Sequence, residues 1–344
     1  MTGKHEYLLA QDAFSKRYIP ECLQFLRSAE SHGYPSDECA SCRWNCWMLL
    51  GRFEDAWLES DAIAARNGPD PNCLWDGRPF RGNRVIIRCL HGFGDAIQFL
   101  RYTGLVRRAA QAVFVQTHPQ LRTLARALPH VDGVTSWEDG PGRHGSDWDQ
   151  QIEVMELPRA FRTTLVTIPT EIPYISPPGP YIERSRYALG PRSKRRIGLL
   201  WEGSNWNSAR NVPAPELLPI LATPGVEFYS FQRGTGREQL GLLCRQTDIR
   251  DLSGDSPDVA YLAADLMQMD LLISVDTMAA HLAGALGRPV WMLLPYEADW
   301  RWMLRRRDTP WYPSMTLFRQ KTPGDWRHPV HEIARDLGNT AFRD

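Results

Sequence analysis

The sequence predicts an α/β protein built from two similar halves, each a parallel sheet wrapped by helices, behind a short all-α segment. Three observations predict it. Residues 1 to about 70 have a helical pattern with a 34-residue internal period, and from Arg84 short apolar runs alternate with helical stretches. That alternation stops at a proline-rich stretch near residues 177–193 and starts afresh at Ile197.

The internal period aligns Ile19 with Phe53, Cys22 with Ala56 and Pro35 with Pro69. It is the tetratricopeptide period. In the second copy Trp47, Leu50, Gly51, Phe53 and Ala56 stand at the repeat's spacing, large residues filling a helix pair that two small ones let close. The first copy is degenerate. Two units fall short of the three or so that a free-standing solenoid needs, so these helices are expected to dock on the domain that follows.

Next, Val85 to Leu90 and Ala112 to Gln116 read as strands, with helices over Asp95 to Ala110 and Pro119 to Leu128, the signature of βαβ units. Pro177, Pro178, Gly179 and Pro180 open the linker. The second series has strands at Ile197–Trp201, Glu227–Phe231, Leu271–Val275 and Val290–Leu294, then a last helix over Pro329–Leu337. The expected units are 1–74 (helical), 75–185 (first α/β half), 186–322 (second half) and 323–344 (terminal helix).

Forty basic residues balance forty acidic ones among 344, so overall charge calls for neither nucleic acid nor an anionic membrane. The first residues, M-T-G-K-H-E-Y-L-L-A-Q, lack the apolar core of a signal peptide, and no apolar run reaches membrane-spanning length; a cytoplasmic location is expected. The seven cysteines then read as reduced thiols. Cys39, Cys42 and Cys46 line one helix face beside Trp47, with Cys73 the nearest fourth donor, and read as a core stripe rather than a ligand set. The Asp147/Asp149 pair precedes a strand instead of ending one, so no metal is expected there. Arg301, Arg305, Arg306 and Arg307, among Trp300, Trp302 and Trp311, either touch anionic lipid or a phosphorylated glycan, peripherally to the inner membrane face, or form a solvated arginine face over buried tryptophans.

Asp270 to Pro295 carries the strongest chemical signal: an apolar strand, Asp276, Thr277, four residues on His281, and a small-residue helix closed by Gly287, Arg288 and Pro289. A helix N-terminus directly after a strand favours phosphate through its unpaired N–H groups and its dipole. Thr277 can offer a hydroxyl and His281 a ring N–H to a bound nucleotide; alternatively Asp276 only caps the helix and His281 is a core histidine. The G-F-G-D turn behaves similarly. Gly92 and Gly94 permit close approach, and Asp95 either caps a helix or projects into the space at the carboxyl end of the sheet.

The segment D-L-L-I-S-V-D-T-M-A-A-H-L-A-G-A-L-G-R-P-V-W resembles the nucleotide-sugar motif of the heptosyltransferase-like glycosyltransferases, family 9. The resemblance continues through R-V-I-I-R-C-L-H-G-F-G-D-A-I-Q-F-L-R-Y, I-G-L-L-W-E-G-S, F-Y-S-F-Q-R-G, D-W-R-W-M-L and T-P-W-Y-P-S-M-T-L-F-R-Q, covering everything from about Trp75. It is nearest to the branch in which tetratricopeptide-type repeats precede the transferase. It implies a GT-B architecture of two Rossmann-like domains facing a cleft, with the last helix crossing back onto the first half. It also implies inverting, metal-independent transfer from a nucleoside diphosphate sugar, ADP-heptose by default, with no further cofactor. The acceptor would be a surface-polysaccharide core such as lipopolysaccharide, or a protein side chain, and the repeats could recruit a protein partner.

Carried onto this chain, the resemblance makes Asp95 the base and places Arg210 against the leaving diphosphate, beside the Trp201–Ser204 loop. Asp276, Thr277 and His281 match diphosphate- and sugar-contacting positions; Gln232 and Arg233 match the nucleoside side. Three residues depart from the pattern: Glu202 replaces a small residue, and its carboxylate would repel the diphosphate unless paired, for instance by Arg210; His91 replaces a glutamine; Met278 stands where a glycine is often found. They leave open a second reading, a nucleotide-binding scaffold without turnover. A sugar epimerase would need acid/base groups on both faces of the sugar, and only Asp95 stands out.

Overall fold

The computed structural model describes residues 2–68, 70, 72–139, 148–203, 207–245 and 247–339. Helices α1 (Gly3–Ser15), α2 (Ile19–Ser31), α3 (Ser36–Leu49) and α4 (Phe53–Asn67) form two hairpins. α2 and α4 begin at Ile19 and Phe53, the residues the period aligns; Pro69 lies outside the described residues. Gly3 lets α1 meet α2, since a Cβ there would lie 2.7 Å from the Ala29 carbonyl oxygen, and Gly51, at φ +71°, turns the chain from α3 into α4. A small core of Ala10, Ile19, Leu26, Cys39 and Leu49 joins the hairpins.

The hairpins dock on the α/β part of the chain. Trp57 Nε1 donates to the Thr163 carbonyl at 2.8 Å, Arg17 Nη2 to the Ala298 carbonyl at 3.0 Å, and Tyr296 Oη to the Lys16 carbonyl at 3.0 Å. Trp44 meets Trp300 edge-on at 5.5 Å.

The first half is a parallel sheet of β1 (Arg84–Arg88), β2 (Ala112–Thr117), β3 (Gly133–Ser136) and β4 (Gln150–Glu153) in the order β3-β2-β1-β4. Central β1 buries Val85, Ile86 and Ile87 completely, which is why it reads as a continuous apolar run rather than an alternation. Asp149 pins its start, exchanging bonds with Arg84 at 2.8 Å; Asp147 lies outside the described residues. The expected helix from Asp95 is broken into α5 (Phe93–Phe99), a 3₁₀ turn at Leu100–Tyr102, and Thr103–Ala109.

The second half has β5 (Arg195–Leu200), β6 (Val226–Ser230), β7 (Arg250–Asp251), β8 (Leu271–Val275), β9 (Val290–Leu294) and β10 (Met315–Arg319), all parallel in the order β10-β9-β8-β5-β6-β7. Strand order reverses between β5 and β8, so a crevice opens beyond their carboxyl ends, where ligands of such sheets bind. The proline-rich stretch holds a helix, Gly179–Leu189, fixed to the second half by Tyr181, whose hydroxyl donates to Asp258 at 3.0 Å.

The terminal helix, Arg327–Asn339, corrects one expectation. Rather than crossing to the first half, its apolar face of Val330, Ile333 and Leu337 closes the core of the second half with Ile220, Leu221 and Phe318. Amphipathicity shows which face a helix buries but not against what. The halves are joined instead by the segment before β10, where Arg101 Nη1 donates to the Trp311 carbonyl at 2.6 Å, and by the helix Met278–Ala285, which packs on α5 and whose Ala285 carbonyl accepts the Tyr174 N–H at 3.2 Å. Trp302 and Trp311 are fully buried there, while Arg306 and Arg307 pair with Asp308 and Asp336. No described helix is long and apolar enough to cross a membrane.

Candidate active site

Gly92 caps α5, and Asp95 reaches back so that its Oδ2 accepts the Gly92 N–H at 3.1 Å. Capping therefore does not exclude a role in the cleft: it fixes the carboxylate in place, about a quarter exposed. Asp95 Oδ1 accepts from Arg301 Nη2. Arg301, read from sequence as lipid-facing or solvated, turns inward. It also donates to Asp299 at 3.0 Å and to Gln98 Oε1 at 2.7 Å. Burial pulls its guanidinium pKa down, but the charges of Asp299, Asp95 and Asp276 more than offset this, so it sits above its ordinary value.

Across the cleft, Asp276 follows β8. Its Oδ2 accepts Trp302 Nε1 at 2.8 Å and its Oδ1 lies 3.6 Å from His281 Nε2. Burial raises this carboxyl, yet His281, the Trp302 bond and Arg301 hold it below the ordinary carboxylate value. Thr277 is the N-cap of the Met278–Ala285 helix, its Oγ1 3.1 Å from Ser274 Oγ. His281 is buried, with Nδ1 3.0 Å from the Tyr312 hydroxyl, and so behaves as a satisfied core histidine that also walls the cleft. Gly94 is a close contact between the halves: a Cβ there would lie 3.0 Å from His281 Cδ2.

Arg210 is buried, and its Nη1 donates to the Asp276 carbonyl at 3.0 Å. Burial lowers its pKa, with Asp276 and Asp299 opposing. It lies tight against Gly203, where a Cβ would meet its Nε at 2.7 Å, so the backbone approach needs glycine. Gln232 serves the loop itself: Oε1 accepts the Trp201 and Glu202 N–H groups at 3.0 and 2.9 Å, and Nε2 donates to the Glu202 and Arg233 carbonyls. Arg233 is likewise bonded to the Ser253 and Ser256 carbonyls. Glu202 accepts the Thr235 hydroxyl at 3.0 Å through Oε1, a neutral donor rather than the cation expected of Arg210, and its Oε2 is buried without a hydrogen-bond partner among the described residues. Ser204 lies outside the described residues.

Gly92, Gly94, Asp95, Arg210, Gln232, Asp276, Thr277 and His281 all line one cleft of about 450 Å³, together with Glu202, Met278, Asp299 and Arg301. A larger hollow of about 810 Å³, near Lys194 and Arg250, lies away from them. A second chamber, about 270 Å³, shares Arg210, Asp276 and Asp299 and is closed by Phe14, Arg17, Asn45 and Leu49 of the helical segment. Sequence reading missed Arg301 and Asp299 as site residues, although both stand in the quoted D-W-R-W-M-L stretch. Glu153, a buried carboxylate at the end of β4, lies behind the cleft without lining it. Burial, with the charge of Asp95, holds Glu153 above the ordinary value against the Met155 N–H bond and His91, 4.0 Å away.

Solved structures carry the same architecture. A family 9 glycosyl transferase from Veillonella parvula superposes with TM-score 0.56 at 12% identity, covering 75% of this chain and 97% of that one. The fold is that of the family 9 glycosyltransferases. The ADP-heptose lipopolysaccharide heptosyltransferase II of Escherichia coli agrees, with TM-score 0.52 at 16% identity over 74% of this chain and 98% of its own. In sequence, protein FlbA of Caulobacter vibrioides is 27% identical over 375 residues, covering 95% of this chain; the chain spans 58% of that relative's length. No family model matches the chain.

Proposed function

We propose that this chain is an inverting, metal-independent glycosyltransferase that moves a sugar from a nucleoside diphosphate donor to a hydroxyl of a glycan or protein. The observation that carries this reading is the convergence of Asp95 from one half and Arg210 from the other on a single cleft. A carboxylate oxygen of Asp95 takes the proton of the acceptor hydroxyl. The acceptor oxygen then bonds to the anomeric carbon from the face opposite the diphosphate, and the carbon–oxygen bond to the diphosphate breaks, its electron pair leaving with phosphate. Arg210 and the N-terminus of the Met278–Ala285 helix neutralise that leaving group. Arg301 holds Asp95 in place. The E. coli neighbour is named for ADP-heptose, which supports an ADP-linked heptose as the first donor to test.

The acceptor enters beside Asp95. We assign the two hairpins to the tetratricopeptide type, in keeping with their period, and through them a protein acceptor or partner can be held near the second chamber. Glu202 and Met278 in the cleft favour the alternative, a nucleotide-binding scaffold without turnover. One experiment separates the two. Calorimetric titration with ADP, GDP, UDP and dTDP, with and without magnesium, is followed by donor turnover for wild type and Asp95→Asn. Binding of one nucleotide without magnesium, with turnover that falls about 10²- to 10⁴-fold in Asp95→Asn at unchanged affinity, is the expected result. Binding with no turnover identifies the scaffold; equal turnover in both proteins removes Asp95 as the base.

A further inference from the structure

The sequence groups Cys39 with Cys42 and Cys46 as one helix face, but the fold groups the thiols differently. Cys42 and Cys46 lie one turn apart on α3, so their side chains meet, and α2 brings Cys22 against them. The three sulfur atoms all lie within 4.8 Å of one another, with Cys22 and Cys46 Sγ 3.5 Å apart. Cys39 stays in the core outside this cluster. Thiols acting only as small hydrophobes need not converge. Three sulfurs on one ion at about 2.3 Å would sit about 4 Å from each other, which is the spacing found here to within small side-chain rotations.

We propose that Cys22, Cys42 and Cys46 bind one thiophilic metal ion of the zinc(II) or copper(I) class, clamping α2 to α3. The donors come from two helices, so no single helix has to wrap around the ion. Cys22 and Cys46 are fully buried, whereas Cys42 opens onto a groove of about 420 Å³ lined by Tyr7, Phe14, Asp37, Glu38 and Asn45. That groove gives an ion its path in and leaves room for a water as fourth ligand. Copper(I) needs no fourth ligand; zinc(II) does. The site is separate from the transferase cleft and stands or falls independently of the proposed function.

The test uses the whole chain, reduced and stripped with chelator under argon, then titrated with cadmium(II) as the probe. The sulfur-to-cadmium charge-transfer absorption should saturate at one ion per chain, and the thermal midpoint should rise with cadmium concentration as binding to the folded state requires. Cys39→Ser should behave as wild type, while Cys42→Ser, and Cys42→Ala as a second variant, both checked for folding by circular dichroism, should lose the band and the shift. Zinc(II) or copper(I) should displace the probe, and whichever does so at the lower concentration names the ion. No band in wild type, an equal band in the Cys42 variants, a loss on Cys39→Ser, or displacement by neither ion overturns the proposal.

Discussion

Arg301 is the point at which removing one side chain should disturb stability and chemistry together. Its guanidinium bonds Asp95, Asp299 and Gln98 while nine-tenths of its side chain is buried. Arg301→Gln removes the counter-charge and leaves the two aspartates near Asp276. Breaking a buried ion pair costs about 3–5 kcal/mol. The Asp95 and Asp299 side chains keep 26% and 28% exposure and can hydrate, so the lower end applies, about 3 kcal/mol. At about 2.1 cal/mol/K per residue, a 344-residue chain unfolding as one unit changes entropy by about 0.7 kcal/mol/K, which puts the shift in Tm near 4 °C downward. The assay is thermal unfolding by circular dichroism for wild type, Arg301→Gln, Asp95→Asn and the double variant. The cycle should show about 1–3 kcal/mol of coupling, since Asp95→Asn relieves the repulsion that Arg301→Gln creates. An unchanged Tm in Arg301→Gln, or effects that add to within about 0.5 kcal/mol, would refute the reasoning that this arginine positions Asp95.

Three further perturbations follow from the geometry. Arg210→Ala should weaken nucleoside diphosphate binding about 10- to 100-fold, the worth of a charge-assisted phosphate contact, measured by calorimetry. Asp276 is held below its ordinary value, so the unfolded chain takes up its proton first on acidification: the stability it contributes is complete above pH about 4 and is lost as pH falls through the lower folded value. Asp276→Asn should therefore show a flatter dependence of Tm on pH at the acid end than wild type, and parallel curves would contradict the assignment. Gly94→Ala places a Cβ 3.0 Å from a His281 ring that Tyr312 and Trp302 already hold, so the halves must part by a few tenths of an ångström, costing about 1–3 kcal/mol, read as a denaturant midpoint.

Most of the architecture was legible because its strongest signals are local. β8 and β9 begin and end where their apolar runs do, since strands buried on both faces are built mainly of apolar side chains; Ser274, the polar exception in β8, turns its hydroxyl onto the Val275 carbonyl. The cleft was legible because glycine turns and helix N-termini are written in consecutive residues. What failed depended on partners far apart in sequence. Whether Arg301 faces solvent or Asp95, where the terminal helix lies, and that Cys22 joins Cys42 and Cys46 while Cys39 does not, are settled only by packing. Gln232 shows the same limit at smaller scale: its place in the lining of the cleft was readable, but the saturation of its carboxamide by loop backbone was not.

The seating of the hairpins has a consequence for how this chain can be cut and held. Arg17, Lys16 and Trp44 grip residues 296–300 from outside, and Asp299 and Arg301 hang from the inner side of that same stretch. The helices are thus a wall of the second chamber rather than a detachable handle. Excising them would bare Trp300 and slacken the stretch that tethers Asp95, and a macromolecule gripping α1 or α3 would press on the cleft through the side chains between.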